Sequence, residues 1–95
     1  MWLIIVSQIN PFTIQRDINR MSVEIYDTSW TNHPEKIQSL MEYIKSALGN
    51  NLIYISYDNF KTAIYMKFIN WTEKDSLLIE KILMEKGVNG YVVRH

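Results

Sequence analysis

Leu52-Ile53-Tyr54-Ile55-Ser56-Tyr57-Asp58-Asn59-Phe60-Lys61-Thr62-Ala63-Ile64-Tyr65-Met66-Lys67-Phe68-Ile69 lies near the middle of the chain, and its reading decides the architecture. Two runs rich in β-branched and aromatic residues flank Asp58-Asn59. Both turn residues tolerate the left-handed backbone of a tight connection, so the stretch predicts a β-hairpin. With Tyr57 opposite Phe60, alternation puts Ile53, Ile55, Tyr57, Phe60, Thr62, Ile64, Met66 and Phe68 on one face. Leu52, Tyr54, Ser56, Lys61, Ala63, Tyr65 and Lys67 fall on the other. The first is a core face; the second mixes tyrosine with lysine.

A helix is expected on either side of the hairpin. Upstream, Asn32 is placed to cap, Glu35 to close a capping box, and Pro34 to occupy the first turn. Ile37, Leu40, Met41, Ile44 and Leu48 then recur at helical spacing until Gly49 ends the run. Downstream, Thr72 with Asp75 three residues on opens a second helix. Its apolar face is Leu78, Ile79, Ile82 and Leu83, widened by Leu77 and Met84, and Gly87 stops it.

Further out, Ser22-Val23-Glu24-Ile25-Tyr26-Asp27 alternates as a strand should, and Gly90-Tyr91-Val92-Val93-Arg94 reads as a short last strand. The order from Met21 is therefore β-α-β-β-α-β. An internal echo supports two similar halves: Trp30-Thr31 and Trp71-Thr72 stand at corresponding strand-to-helix junctions, and each helix ends in glycine followed by asparagine and a strand. The expected fold class is α+β, a ferredoxin-like βαββαβ two-layer sandwich with an extra N-terminal strand. One domain is expected over 1–95, with 21–95 as its core and 1–20 as an extension. Residues 2–9 read as the added strand, and Asn10-Pro11 opens either a short helix or a loop over 11–20. An apolar strand of this kind must pair with a sheet edge or with a second copy of the chain.

Composition narrows the function by exclusion. The 95 residues are 47% hydrophobic and 21% charged, as in a folded domain. Ten basic residues balance ten acidic ones, so the chain lacks both the strong positive field of a nonspecific nucleic-acid binder and the acidic surface of a nucleic-acid mimic. With no cysteine, there is no disulfide framework, thiolate nucleophile or cysteine zinc site. The first residues carry no basic segment ahead of a long apolar run, so a cytoplasmic location without membrane contact is expected. Wealth in Ile, Asn, Lys and Tyr points to an AT-rich genome, viral or cellular.

Catalytic and metal-binding patterns are equally scarce. The two histidines, His33 and His95, form no paired ligand motif, and His33 reads as a first-turn residue. Gly49, Gly87 and Gly90 are accounted for as two helix stops and a strand entry, leaving no phosphate-cradling loop. No nucleophile motif is found, so no catalytic residue, metal or cofactor is expected. Trp30 and Trp71, each beside a helix start, are either staples or aromatic anchors for a partner.

Two short resemblances remain. Met21-Ser22-Val23-Glu24-Ile25-Tyr26-Asp27 resembles the opening strand of the small metal-dependent CRISPR-associated nucleases, whose strand-ending aspartate binds a divalent ion. The likeness implies that role for Asp27, covers seven residues, and is not joined by that family's basic helix or later motifs. The run 61–68 resembles the aromatic strand motif of RNA-recognition modules at Lys61, Tyr65 and Phe68, without its glycines. That likeness implies stacking on Tyr54 and Tyr65, with Lys61 and Lys67 beside them for phosphates.

Function is thus expected to lie in contact rather than chemistry. The first expectation is a non-catalytic interaction protein with a protein partner, such as an inhibitor or adaptor of a host defence complex encoded by a virus or mobile element, with a homodimer as a compatible assembly. A single-stranded RNA or DNA binder using Tyr54, Tyr65, Lys61 and Lys67 is the alternative, followed by a dimer holding a nucleotide-like ligand.

Overall fold

A computed structural model describes residues 19–95. The strand expected over 2–9 and the helix or loop expected over 11–20 (up to residue 18) lie outside the described residues. The elements run β1 (Arg20–Ile25), α1 (Thr28–Thr31), α2 (Pro34–Leu48), a 3-10 turn (Gly49–Asn51), β2 (Leu52–Asp58), β3 (Ala63–Phe68), α3 (Glu73–Lys86) and β4 (Gly90–Arg94). The four strands form one sheet in the order β2-β3-β1-β4, and every neighbouring pair is antiparallel. Each strand–helix–strand crossover therefore skips one position: β3 lies between β1 and β2, and β1 between β3 and β4. The fold is the α+β sandwich that the element order predicts.

One sheet face is closed by α2 and α3. Met21, Val23 and Ile25 of β1 and Ile64, Met66 and Phe68 of β3 meet Ile37, Leu40, Ile44 and Leu48 of α2 and Ile79, Ile82 and Leu83 of α3 in one buried cluster. Alternation along the strands puts the remaining residues on the opposite face, which carries no helix among the described residues.

Several local expectations change. The N-cap of α2 is His33, without a side-chain hydrogen bond, because Asn32 already ends α1, a short helix that the sequence reading did not include. Helix α3 does open with the Thr72–Asp75 capping box, the Thr72 N–H donating to Asp75 Oδ2 at 2.9 Å. Its buried face is Ser76, Ile79, Ile82 and Leu83, whereas Leu77 and Met84, expected to widen that face, are exposed.

The hairpin differs most. Its connection has four residues, not two: Asp58 pairs with Ala63 and Tyr57 with Ile64. The cause is the Asp58 carboxylate, whose Oδ1 accepts the Phe60 N–H at 2.9 Å and the Lys61 N–H at 3.1 Å. This side-chain turn outcompetes the tight two-residue form and carries Phe60, Lys61 and Thr62 off the sheet. Thr62 closes the loop at φ 50°. The slip is by an even number of positions, so Ile64, Met66 and Phe68 keep the core face and Tyr65 and Lys67 the open one. A bulge between Leu52 and Tyr54 makes the second change. Leu52 turns onto the core and Ile53 out to solvent, opposite to the expected alternation.

Candidate functional site

The open sheet face can be read as rows across the strands. Tyr54 of β2 pairs with Lys67 of β3, Lys67 with Arg20 of β1, and the His95 N–H reaches the Arg20 carbonyl at 3.0 Å. The next row is Ser56, Tyr65, Ser22 and Val93. The third is Asp58, Ala63, Glu24 and Tyr91. The face is thus polar along the strand direction, with cations at one end and carboxylates at the other.

The cationic end is concave. A groove of about 480 Å³ is lined by Arg20, Tyr54, Tyr65, Lys67 and His95 together with Met21 and Met66. No aspartate or glutamate is among its lining residues. Among the described residues the charged pair is Arg94–Glu73, with the His33 ring also near Glu35, and neither Arg20 nor Lys67 is paired with a carboxylate. His95 Nε2 lies 3.0 Å from Ser22 Oγ, which fixes the imidazole beside the groove.

Of the residues singled out from sequence, Tyr54, Tyr65 and Lys67 come together here. Tyr54 and Tyr65 are diagonal neighbours within reach of one another's rings. Lys61 does not join them, because it lies in the exposed hairpin loop at the far end of β3. Arg20 and His95, both in the groove, were not singled out. Trp30 and Trp71 are both partly buried against the core. Trp71, directly before the Thr72 N-cap of α3, stands in the position of a staple, whereas Trp30 lies within α1, three residues ahead of the His33 N-cap of α2. The Trp30 ring also lies 4.9 Å from Lys36 Nζ.

Asp27 is engaged locally. Its carboxylate accepts from Ser29 Oγ at 2.6 Å and Ser29 N at 3.1 Å, and from the Asn89 amide groups at 3.3–3.4 Å. The Ser29 hydroxyl is the main cause of its pKa lying below the ordinary 3.8. These bonds tie the end of β1 to the residue before β4, the structural role of a turn aspartate. Among the described residues no cluster of three His, Asp or Glu is placed to hold a metal.

A second surface lies along the outer edge of β2, a terminal strand of the sheet among the described residues. Between this edge and α2 run two hollows. One, about 470 Å³, is lined by Thr31, Pro34, Ile37, Gln38, Met41, Tyr57 and Asn59. The other, about 180 Å³, lies at Lys45, Leu52, Ile53, Tyr54 and Ile55. The Tyr57 hydroxyl is buried without a hydrogen-bond partner, and burial, aided by Asp58, pushes the phenol pKa up. At the same end Phe60 is 95% exposed on the loop that Asp58 holds. Sequence reasoning missed this surface by placing Phe60 in the core. The available signal was Asp58, a residue type that forms side-chain turns readily.

No protein-family model, curated protein or solved structure matches the chain. Among the described residues no helix is long and apolar enough to cross a membrane.

Proposed function

We propose that the chain is a non-catalytic interaction protein that binds an extended segment of a protein partner along the outer edge of β2. The observation that carries this reading is the coincidence of a strand edge that is unpaired among the described residues with apolar hollows beside α2. An edge strand offers a row of main-chain donors and acceptors, and alternate side chains of an added strand can enter flanking pockets. Ile37, Met41, Ile53 and Tyr57 supply the apolar contacts. Phe60, almost fully exposed, supplies a projecting aromatic anchor. Inhibitor or adaptor activity towards a host complex is the form that such binding takes in this reading.

The test is selection of peptides from a random library on the full chain, followed by amide hydrogen exchange with and without the selected peptide. Selected peptides are expected to be extended, with alternating apolar residues, and to protect the outward amides of β2. Phe60→Ala should weaken them about tenfold, or ~1.4 kcal/mol. Outward β2 amides already protected in the free chain would mean that the edge is covered, either within the monomer or by a second copy, and would overturn the proposal.

A further inference from the structure

The cationic end of the open sheet face is a separate surface from the β2 edge. It combines three features on a chain of zero net charge. Arg20 and Lys67 are adjacent in one cross-strand row with no aspartate or glutamate among the residues lining the groove. Two tyrosine rings, Tyr54 and Tyr65, flank the cations on neighbouring strands. Glu24 and Asp58 are displaced to the opposite end of the face. We propose that this groove binds single-stranded nucleic acid, with Tyr54 and Tyr65 stacking on bases and Arg20 and Lys67 meeting backbone phosphates.

The chemistry selects the ligand. Phosphates account for the unneutralised cations, because a guanidinium and an ammonium side by side favour an anion with more than one charged centre. Stacking accounts for the tyrosines, since every base offers a π-face to a ring and the interaction needs no sequence code. A peptide acid would satisfy the cations and leave both rings unused. Three inter-strand spacings from Tyr54 to His95 span roughly 14 Å, a scale on which an open sheet face stacks two or three bases. The single strand is preferred over a duplex because the stacking faces of paired bases are already occupied. Ser22, fully buried beside Tyr65, lies with its Oγ 3.0 Å from His95 Nε2 and helps hold the imidazole at the end of this row.

The experiment is fluorescence anisotropy of labelled U12 RNA and T12 DNA with the full chain at 50 and 200 mM salt. Two phosphate contacts on a single strand predict a fall in affinity of about sevenfold across that range. Tyr65→Ala and Lys67→Ala should each weaken binding about fivefold or more, Tyr65→Phe should restore it, and circular dichroism checks that each variant is folded. Phe60→Ala should leave oligonucleotide binding unchanged, which separates this surface from the peptide edge and lets either proposal fail alone. Absence of binding at 50 mM salt overturns the inference. So does binding that survives both Tyr65→Ala and Lys67→Ala, or that is lost equally with Phe60→Ala.

Discussion

Tyr57 carries two opposed tendencies. Its ring packs against the core, whereas its hydroxyl is shut from water with nothing to bond. A buried unsatisfied group of this kind costs about 1–3 kcal/mol. Tyr57→Phe removes that cost without emptying the site, so the free protein should be as stable as the parent or up to ~1 kcal/mol more stable. The alkaline limb follows from the raised phenol pKa. The folded state holds the neutral phenol, so the contribution is complete below the ordinary value of 10.0 and is lost as pH rises beyond it towards the folded value. Thermal unfolding between pH 7 and 11 should show the parent losing stability above pH 10 more steeply than Tyr57→Phe. A variant less stable than the parent at pH 7 would show that the hydroxyl is already satisfied.

At the scale of elements, the sheet depends on close backbone contact at one point. A Cβ on Gly90 would stand 2.6 Å from the Glu24 carbonyl oxygen, a contact that side-chain rotation cannot relieve. Gly90→Ala should therefore push β4 away from β1 and cost about 1–3 kcal/mol in urea unfolding, with an unchanged m-value. A cost below ~0.5 kcal/mol would mean that β4 yields easily. The elements themselves were legible because their signals are local: the apolar period of α2, the Thr72–Asp75 pair and Gly87 in the left-handed conformation are all written within a few residues. Register was not. Asp58-Asn59 serves a two-residue turn or a longer side-chain turn equally well, and only hydrogen bonding to Phe60 and Lys61 decides between them. The bulge that exchanges Leu52 and Ile53 leaves no mark in the alternation. The same division runs through the open-face groove. Tyr54, Tyr65 and Lys67 follow from alternation within one hairpin, whereas Arg20 and His95 arrive through strands paired across most of the chain.

For the molecule as a whole, the two-layer arrangement makes its surfaces unequal. Helices α2 and α3 bury one sheet face; among the described residues no helix covers the other face and no strand pairs with the outer edge of β2, and both surfaces rest on the same core. Ile44, fully buried between α2 and the sheet, tests that dependence. Ile44→Ala should cost about 2–5 kcal/mol, a large part of the ~5–15 kcal/mol available to a small domain. It should weaken peptide and oligonucleotide binding together near its lowered Tm. Phe60 and Lys67 belong to opposite ends of the hairpin, Asp58 and Tyr54 of β2 being four residue steps, or about 13 Å, apart. Side chains that far apart without shared partners add in their effects to within about 0.5 kcal/mol. The pair Phe60→Ala and Lys67→Ala should accordingly split the two binding activities cleanly, and the double variant should show the sum of the single changes in unfolding free energy. Strong non-additivity would show that the loop and the groove form one cooperative surface, and a single partner would then have to span both.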